Sequence, residues 1–464
     1  MYDLVVLGGG SAGFAAAIKA SELGARVVIV NAGLPPGGTC VNVGCVPTKF
    51  LVKAAEALRW AQAYFPEANL KPSLRRLLAE AAETSAMLRK ERYVDLLDYY
   101  GIEYIEGRGV LAGPGRVMVE GRGVLEGKRV VVATGSRPAV PNIKGLGEVG
   151  YYTNQRLFDL GEPSSVVFVG GGAVAVELAQ ALNRLGVKTA IVARGRLLKY
   201  EEEMASQFVE EVLKEEGVEV VRDEAVAVRR ADGGVEVETR AGRRLRAEAL
   251  FVAAGRVPNS EVAGGLLELN SDGSIRVNKR PETSMPGVYA AGDVAGGVWL
   301  RGGRYAENAA ARQGTIAAVN ALGGHEEYDP AAVPRVVFTD PPVASVGVSE
   351  DEMITSGIGC RCAAVPIDVV AAAWASKRTS GFIKINTYPE TWRVSMKGGK
   401  IAGAVVAAPH AEELIHVFAI AVKLGLRIGD LAELVPAFPS FGEALRVAAL
   451  AFEKDVSKLS CCAG

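Results

Sequence analysis

Two stretches of the chain share one pattern of apolar and polar positions. The first, YDLVVLGGGSAGFAAAIKASELGARVVIVN, runs from an apolar segment through a glycine-rich turn and an alanine-rich segment to a second apolar segment. Short apolar runs without polar alternation suit strands buried on both faces, and the alanine-rich segment between them predicts a helix. The order predicts strand, turn, helix, strand. SSVVFVGGGAVAVELAQALNRLGVKTAIVARGR repeats it, and these two units are the only internal self-similarity. Further apolar runs end at KRVVVATGSRPAVP and GVYAAGDVAGG. Beyond residue 328, RVVFTD, GFIKIN and IAGAVVAA predict strands, and EELIHVFAIAVKLG and GEALRVAALAF predict helices. The pattern as a whole predicts an α/β fold with two Rossmann-like dinucleotide-binding domains and a C-terminal α+β domain.

Glycine spacing turns these elements into candidate sites. Gly8, Gly10 and Gly13 make a GxGxxG between strand and helix, where bare backbone and a helix N-terminus can receive a pyrophosphate. The following strand ends in Asn31, where an acid usually binds ribose; Asn can still hydrogen-bond, more weakly. In the second unit Gly170, Gly172 and Ala175 give the tolerated GxGxxA form. Its strand ends in Ala193, with Arg194 and Arg196 following and no acid, which favours a 2′-phosphate and hence NADPH. Two such folds imply two dinucleotides. Thr134 and Gly135 close one later strand, and Asp293 follows another, placed to accept hydrogen bonds from a polyhydroxyl chain or to cap a helix.

Composition narrows the class. The chain has 464 residues, enough for several domains, with 23% charged residues and a net charge of −1. No basic field suggests nucleic acid or an anionic membrane, and no apolar run reaches the length of a membrane helix. With an apolar strand beginning at residue 2, no signal peptide is expected and a cytoplasmic protein is. Six cysteines in such a setting point to catalysis or metal binding rather than a disulfide framework. They fall as Cys40/Cys45, Cys360/Cys362 and Cys461/Cys462. The first pair, in GGTCVNVGCVPTKF, has no further Cys or His to complete a zinc site. If a helix begins at Val41, the five-residue spacing is expected to leave both sulfurs near one side, as a two-electron dithiol. Lys49 could hold a thiolate, and Glu177 lies on the helix past the second glycine loop; a Lys49–Glu177 pair near the hydride path is expected. Cys360 and Cys362 would share one face of a strand, as surface or interface thiols without a role.

In this order, GxGxxG, CVNVGC, ATG, GxGxxA, AAGR with Gly255, AAGD and the late PRVVFTDPPVASVGVSE resemble the flavoprotein disulfide reductase family over essentially the whole chain. The resemblance implies FAD held by residues 1–147 and 264–328, with Thr39 and Lys49 among its contacts. It implies NADPH on residues 148–263 and a homodimer formed through 329–464. Cys45 would be the flavin-proximal sulfur and Cys40 the interchange sulfur. Members that act on organic disulfides close with a His-bearing segment; here FPSFGEAL puts Phe438 in that place and keeps only Glu443. Phenylalanine cannot carry a proton, so acid–base exchange with an organic disulfide is lost there. The histidines, His325, His410 and His416, lie elsewhere. The ending FEKDVSKLSCCAG resembles the mercuric reductase branch of the family. There, vicinal cysteines receive Hg(II) from low-molecular-weight thiols and pass it to the dithiol of the partner subunit. The implied metal ligands are Cys461, Cys462, Cys40 and Cys45, with Tyr93 matching a tyrosine of that branch, while Phe438 lacks a hydroxyl that the branch usually has. A lipoamide- or glutathione-type disulfide reductase and a thiol-based metal-sequestering protein are the alternative readings.

Overall fold

The computed structural model describes residues 1–296, 306–389 and 398–459. They form two compact units, one of Met1–Gly170, Ala181–Val192 and Asp223–Pro330, the other of Gly171–Gln180, Ala193–Arg222 and Ala331–Gly464.

The first unit is built on a parallel sheet. Strand Tyr2–Leu7 pairs with Val27–Asn31 on one side and Gly123–Val132 on the other. Glu103–Glu106 and Val288–Ala290 extend the sheet in the same direction, and Arg116–Val119 and Gly109–Gly113 add an antiparallel flap. The unbroken apolar runs follow from burial on both faces. Leu4, Val6 and Ile29 pack with Phe14, Ala16 and Ala17 of helix Ser11–Glu22, whereas Val5, Leu7 and Val28 pack with Val117, Val119 and Ile275 on the opposite face. Helix Glu307–Ala321 lies so close to Ser11–Glu22 that a Cβ on Gly314 would sit 2.1 Å from the Ala12 carbonyl oxygen. A second parallel set joins Ser165–Val169 to Lys188–Ala193 and Ala249–Val252, beside an antiparallel ladder of Ala225–Ala231, Gly234–Thr239 and Arg244–Ala247.

The second unit carries a five-stranded antiparallel sheet in the order Arg335–Val337, Val343–Gly347, Ile401–Ala407, Phe382–Thr387, Arg361–Pro366. Helices Ala411–Leu424 and Glu443–Leu450 cover it through Ile415, Phe418, Leu445 and Ala448. The strands and helices expected beyond residue 328 are present. Val343–Gly347 is an additional strand, and Arg361–Pro366 is the strand on which the Cys360/Cys362 spacing depends. Among the described residues no helix is long and apolar enough to cross a membrane.

Candidate active site

Glycine breaks build the dithiol segment. Gly37 and Gly38 take the left-handed conformation, and a Cβ on Gly38 would lie 2.8 Å from the Cα of Gly10. The short helix Gly38–Val43 then carries Thr39 and Cys40. Gly44 ends it, since a Cβ there would lie 2.8 Å from the Thr39 carbonyl oxygen, and Cys45 opens the helix Cys45–Tyr64. The expected helix running on from Val41 is therefore wrong. In one continuous helix, residues five apart point about 140° from each other. The break at Gly44 is what brings the sulfurs into hydrogen-bond contact. Side chains fix the segment from outside: Asn42 donates to the carbonyls of Pro35, Pro36 and Gly38 and accepts from Arg89, and Asn154 donates to the Val43 carbonyl at 3.1 Å.

The two sulfurs differ. The hydrogen bond with Cys45 pushes the Cys40 thiol far above its ordinary range; burial and the charges of Cys45 and Glu307 add to this, and Lys49 opposes it. Cys45 is exposed at the first position of its helix, where unpaired backbone N–H groups favour a thiolate. Tyr93 lies in the π-helical turn Lys90–Val94, its ring edge-on to Phe14 at 5.0 Å and 3.0 Å from where a Cβ on Gly37 would be. Burial first, then the charges of Cys40 and Glu307, push its hydroxyl up to about 12 against a hydrogen bond with Ser11. Glu307 and Ser11 were not found in the sequence. Each begins a helix remote along the chain, and only the sheet's crossover order brings Glu307 to Cys40 and Ser11 to Tyr93.

Both glycine loops use one joint. Gly8 donates to the Val30 carbonyl at 2.8 Å and Gly170 to that of Val192 at 2.9 Å. Both have positive φ, and a Cβ would lie 2.3 Å from the Ala133 oxygen in the first loop and 2.1 Å from the Ala253 oxygen in the second. Gly13 is needed for packing, its Cβ falling 1.9 Å from the Gly8 oxygen, while the buried Ala175 takes that place in the second loop. Gly10 and Gly172 differ from these. Neither has positive φ; a Cβ on Gly10 would meet nothing nearer than 3.9 Å and one on Gly172 nothing within 4 Å. Neither the backbone nor the packing of the protein requires glycine there. Glycine there leaves bare backbone that a pyrophosphate could approach. The residues present fit a dinucleotide at each loop on that observation.

The remaining expected residues sort by their contacts. Asn31 accepts from the Gly9 N–H at 2.8 Å and donates to the Leu34 carbonyl and the Tyr104 hydroxyl, so it braces the first loop. Asp293 accepts from the Ser136 hydroxyl at 2.5 Å and faces Arg256 at 3.6 Å. Burial raises its carboxyl above the usual range, with Ser136 and Arg256 opposing. Thr134 donates to the Asn259 carbonyl, and left-handed Gly135 and Gly255 turn the chain into the paired strands Ser136–Pro138 and Arg256–Pro258. Arg256 thereby ties the AAGR and AAGD segments through Ser136. Lys49 stands half-buried in the cysteine-bearing helix, and Glu177 is buried and accepts from the Phe338 N–H at 2.9 Å. Arg194 is exposed, but Arg196 turns to the Lys199 carbonyl at 3.2 Å and to Asp351 at 3.8 Å.

One expectation fails outright. Cys360 and Cys362 are not thiols but a disulfide. They do share a face, and the edge strand leaves their Cα atoms 6.0 Å apart, a separation disulfides commonly span. His410 and His416 are exposed, the former starting helix Ala411–Leu424 with its ring 5.6 Å from that of Phe441. Phe438 is 62% exposed, and Glu443 accepts from the Ser440 N–H at 2.8 Å, capping its own helix. Cys461 and Cys462 lie outside the described residues.

Comparison with known proteins gives the same outline. The pyridine nucleotide-disulphide oxidoreductase family profile matches residues 2–317, and its dimerisation domain matches residues 333–449. A mercuric reductase of Bacillus cereus is 35% identical over 480 aligned positions, covering 100% of this chain and 73% of that protein. One of Lysinibacillus sphaericus is 34% identical, covering 100% and 85%. In structure the chain is similar to LpdA from Mycobacterium tuberculosis, with a TM-score of 0.84 at 29% identity, covering 96% of this chain and 98% of that one.

Proposed function

Because the chain belongs to the pyridine nucleotide-disulphide oxidoreductase family, and is with it a flavin-dependent oxidoreductase, we propose that it reduces Hg(II) with NADPH. The balance is NADPH + Hg(II) → NADP⁺ + H⁺ + Hg(0). The observation that carries the reading is a dithiol matched with a closing segment that has no proton carrier. Phe438 stands exposed where the disulfide-reducing members have histidine, and Glu443 is spent on its own helix cap. Exchange with an organic disulfide needs an acid–base group; a soft cation needs thiolates. Full-length similarity to mercuric reductases supports the same choice.

The residues divide the work. Gly8, Gly10 and Gly13 would hold FAD, with Asp293 facing its polyhydroxyl chain, and Gly170, Gly172 and Ala175 would hold NADPH, with exposed Arg194 on the 2′-phosphate. Bound FAD supplies the two-electron relay between nicotinamide and sulfur. Cys45 presents its sulfur at a helix start, Cys40 supplies the second sulfur in hydrogen-bond contact with it, and Lys49 favours the charged form of Cys40. Tyr93 walls the site beside Cys40, its hydroxyl kept protonated and able to donate to a ligand. Cys461 and Cys462 would collect Hg(II) from low-molecular-weight thiols in the cytoplasm and deliver it to Cys40/Cys45 of the partner in a homodimer, an assembly the dimerisation-domain match supports.

Steady-state NADPH oxidation tests this. It should depend on Hg(II) in excess thiol and be negligible with lipoamide or oxidised glutathione. Fast turnover of either disulfide with none of Hg(II) would refute the reading. Replacing Cys461 and Cys462 with alanine should spare flavin reduction by NADPH and abolish most turnover of thiol-ligated Hg(II).

A further inference from the structure

The disulfide between Cys360 and Cys362 takes no part in the function proposed above. It sits at the start of strand Arg361–Pro366, the edge of the five-stranded sheet, where alternation turns both cysteines to one face. Arg361 between them is turned away and reaches the Phe452 carbonyl. Against the cysteine face stands Glu350, first residue of helix Glu350–Thr355, with its Oε1 3.9 Å from the Cys360 Sγ. The ligand atoms of Glu350, Cys360 and Cys362 all lie within 4.8 Å of one another. This carboxylate is aimed rather than mobile. Its Oε2 is held by the buried Lys384, which is itself anchored on the buried Glu202, so only Oε1 is directed at the sulfurs. All three residues are half-buried, sheltered yet within reach of solvent.

We propose that Cys360, Cys362 and Glu350 form a redox-gated site for a thiophilic divalent cation, closed as the disulfide and opened by a low-molecular-weight dithiol. In the opening step the S–S bond breaks, each sulfur takes up a proton, and the two thiols of the reductant join as its own disulfide. The cation then displaces both protons to solvent and bonds to two thiolates and Glu350 Oε1, with water free to complete four-coordination. Metal–sulfur bonds of about 2.3 Å in tetrahedral geometry set the sulfurs roughly 3.8 Å apart, a small opening for an edge strand. A divalent cation on two thiolates has the same net charge as the neutral disulfide. Loading therefore leaves the charge beside Glu350, Lys384 and Glu202 unchanged, and no new uncompensated charge is buried. Two thiolates with one carboxylate select soft or borderline ions over magnesium and calcium. The site stands whether or not Hg(II) is the enzyme's substrate.

The test uses the flavin-loaded protein with Cys40, Cys45, Cys461 and Cys462 replaced by serine, which leaves only this pair of the six cysteines. Reduced with dithiothreitol, freed of it anaerobically and titrated with Cd(II), it should bind one ion per chain with an ultraviolet sulfur-to-cadmium charge-transfer band. Reoxidation should abolish the band, and a six-serine variant should never show it. No band in the reduced four-serine protein, or equal retention of Cd(II) by the six-serine variant, overturns the proposal. Should the four-serine variant fail to fold, reduced wild type is compared with C360S/C362S. Loss of one Cd(II) per chain is expected, and equal stoichiometry overturns the site. Glu350→Gln should weaken Cd(II) binding at least about tenfold; unchanged affinity overturns the three-ligand assignment.

Discussion

Replacing Gly172 with alanine separates what the second glycine loop owes to folding from what it owes to its ligand. A Cβ there meets nothing within 4 Å and the backbone is not left-handed, so the substitution introduces neither clash nor strain. Reduced freedom of the unfolded chain favours the variant by about 0.4–1 kcal/mol. Loss of glycine's preference just before helix Ala173–Arg184 offsets this by a similar amount. Stability should therefore stay within about 0.5 kcal/mol of wild type, by difference of those two magnitudes. NADPH binding should not survive so well. A methyl between the backbone and the pyrophosphate removes at least one hydrogen bond to a charged group, about 1.5–3 kcal/mol, or roughly 10- to 150-fold in Kd. The assay is NADPH affinity by fluorescence titration beside thermal unfolding of the same preparation. Gly170→Ala is the contrast: its Cβ falls 2.1 Å from the Ala253 oxygen at a φ of 128°, and the backbone strain alone is about 1–3 kcal/mol. It should unfold at a lower temperature. A Gly172→Ala protein with NADPH affinity within threefold of wild type, or one that unfolds as early as Gly170→Ala, would refute the reasoning.

Three further outcomes are expected. Cys45→Ala removes the main cause of the high Cys40 pKa, so the pH midpoint for alkylation of Cys40 should fall below that of the reduced wild type; an unchanged midpoint would place the cause elsewhere. Arg194→Ala should raise KM for NADPH with little change for NADH, while Arg196→Ala, which loses contacts to Asp351 and Lys199, should shift unfolding more than coenzyme choice. Lys384→Met leaves Glu202 buried without its cation and should cost about 3–5 kcal/mol in chemical denaturation, most of it recovered in Lys384→Met/Glu202→Leu. Burial lowers the Lys384 pKa, but Glu202 and Glu350 more than reverse this and hold it above 10.5. That contribution to stability is therefore complete below pH 10.5 and is lost as pH rises through the higher folded value.

Local pattern makes most of the fold legible in the sequence. The strand–turn–helix units and the α+β character beyond residue 328 are written in short-range periodicity, because buried parallel strands cannot alternate. The cysteine pair was legible as chemistry but not as geometry. A five-residue spacing cannot converge on one helix, and the break at Gly44 depends on where the Thr39 carbonyl falls. Glu307 and Ser11 beside Cys40 and Tyr93, and Ser136 between Arg256 and Asp293, were illegible for a different reason. Each contact joins residues whose separation is fixed by crossover topology, and nothing in the local sequence marks them. The bond between Cys360 and Cys362 is not legible in their spacing, which places them on one strand face and suits surface or interface thiols equally well.

The joint shared by the two glycine loops reaches beyond either ligand. Gly8 abuts Ala133 as Gly170 abuts Ala253, the Ala133 N–H bonds to Leu7 as that of Ala253 bonds to Val169, and each alanine opens an Ala-x-Gly tripeptide. The chain uses one backbone joint twice. The two copies differ at the third position, Gly13 against Ala175, and at the end of the following strand, Asn31 against Arg194, so one frame can be fitted to different ligands.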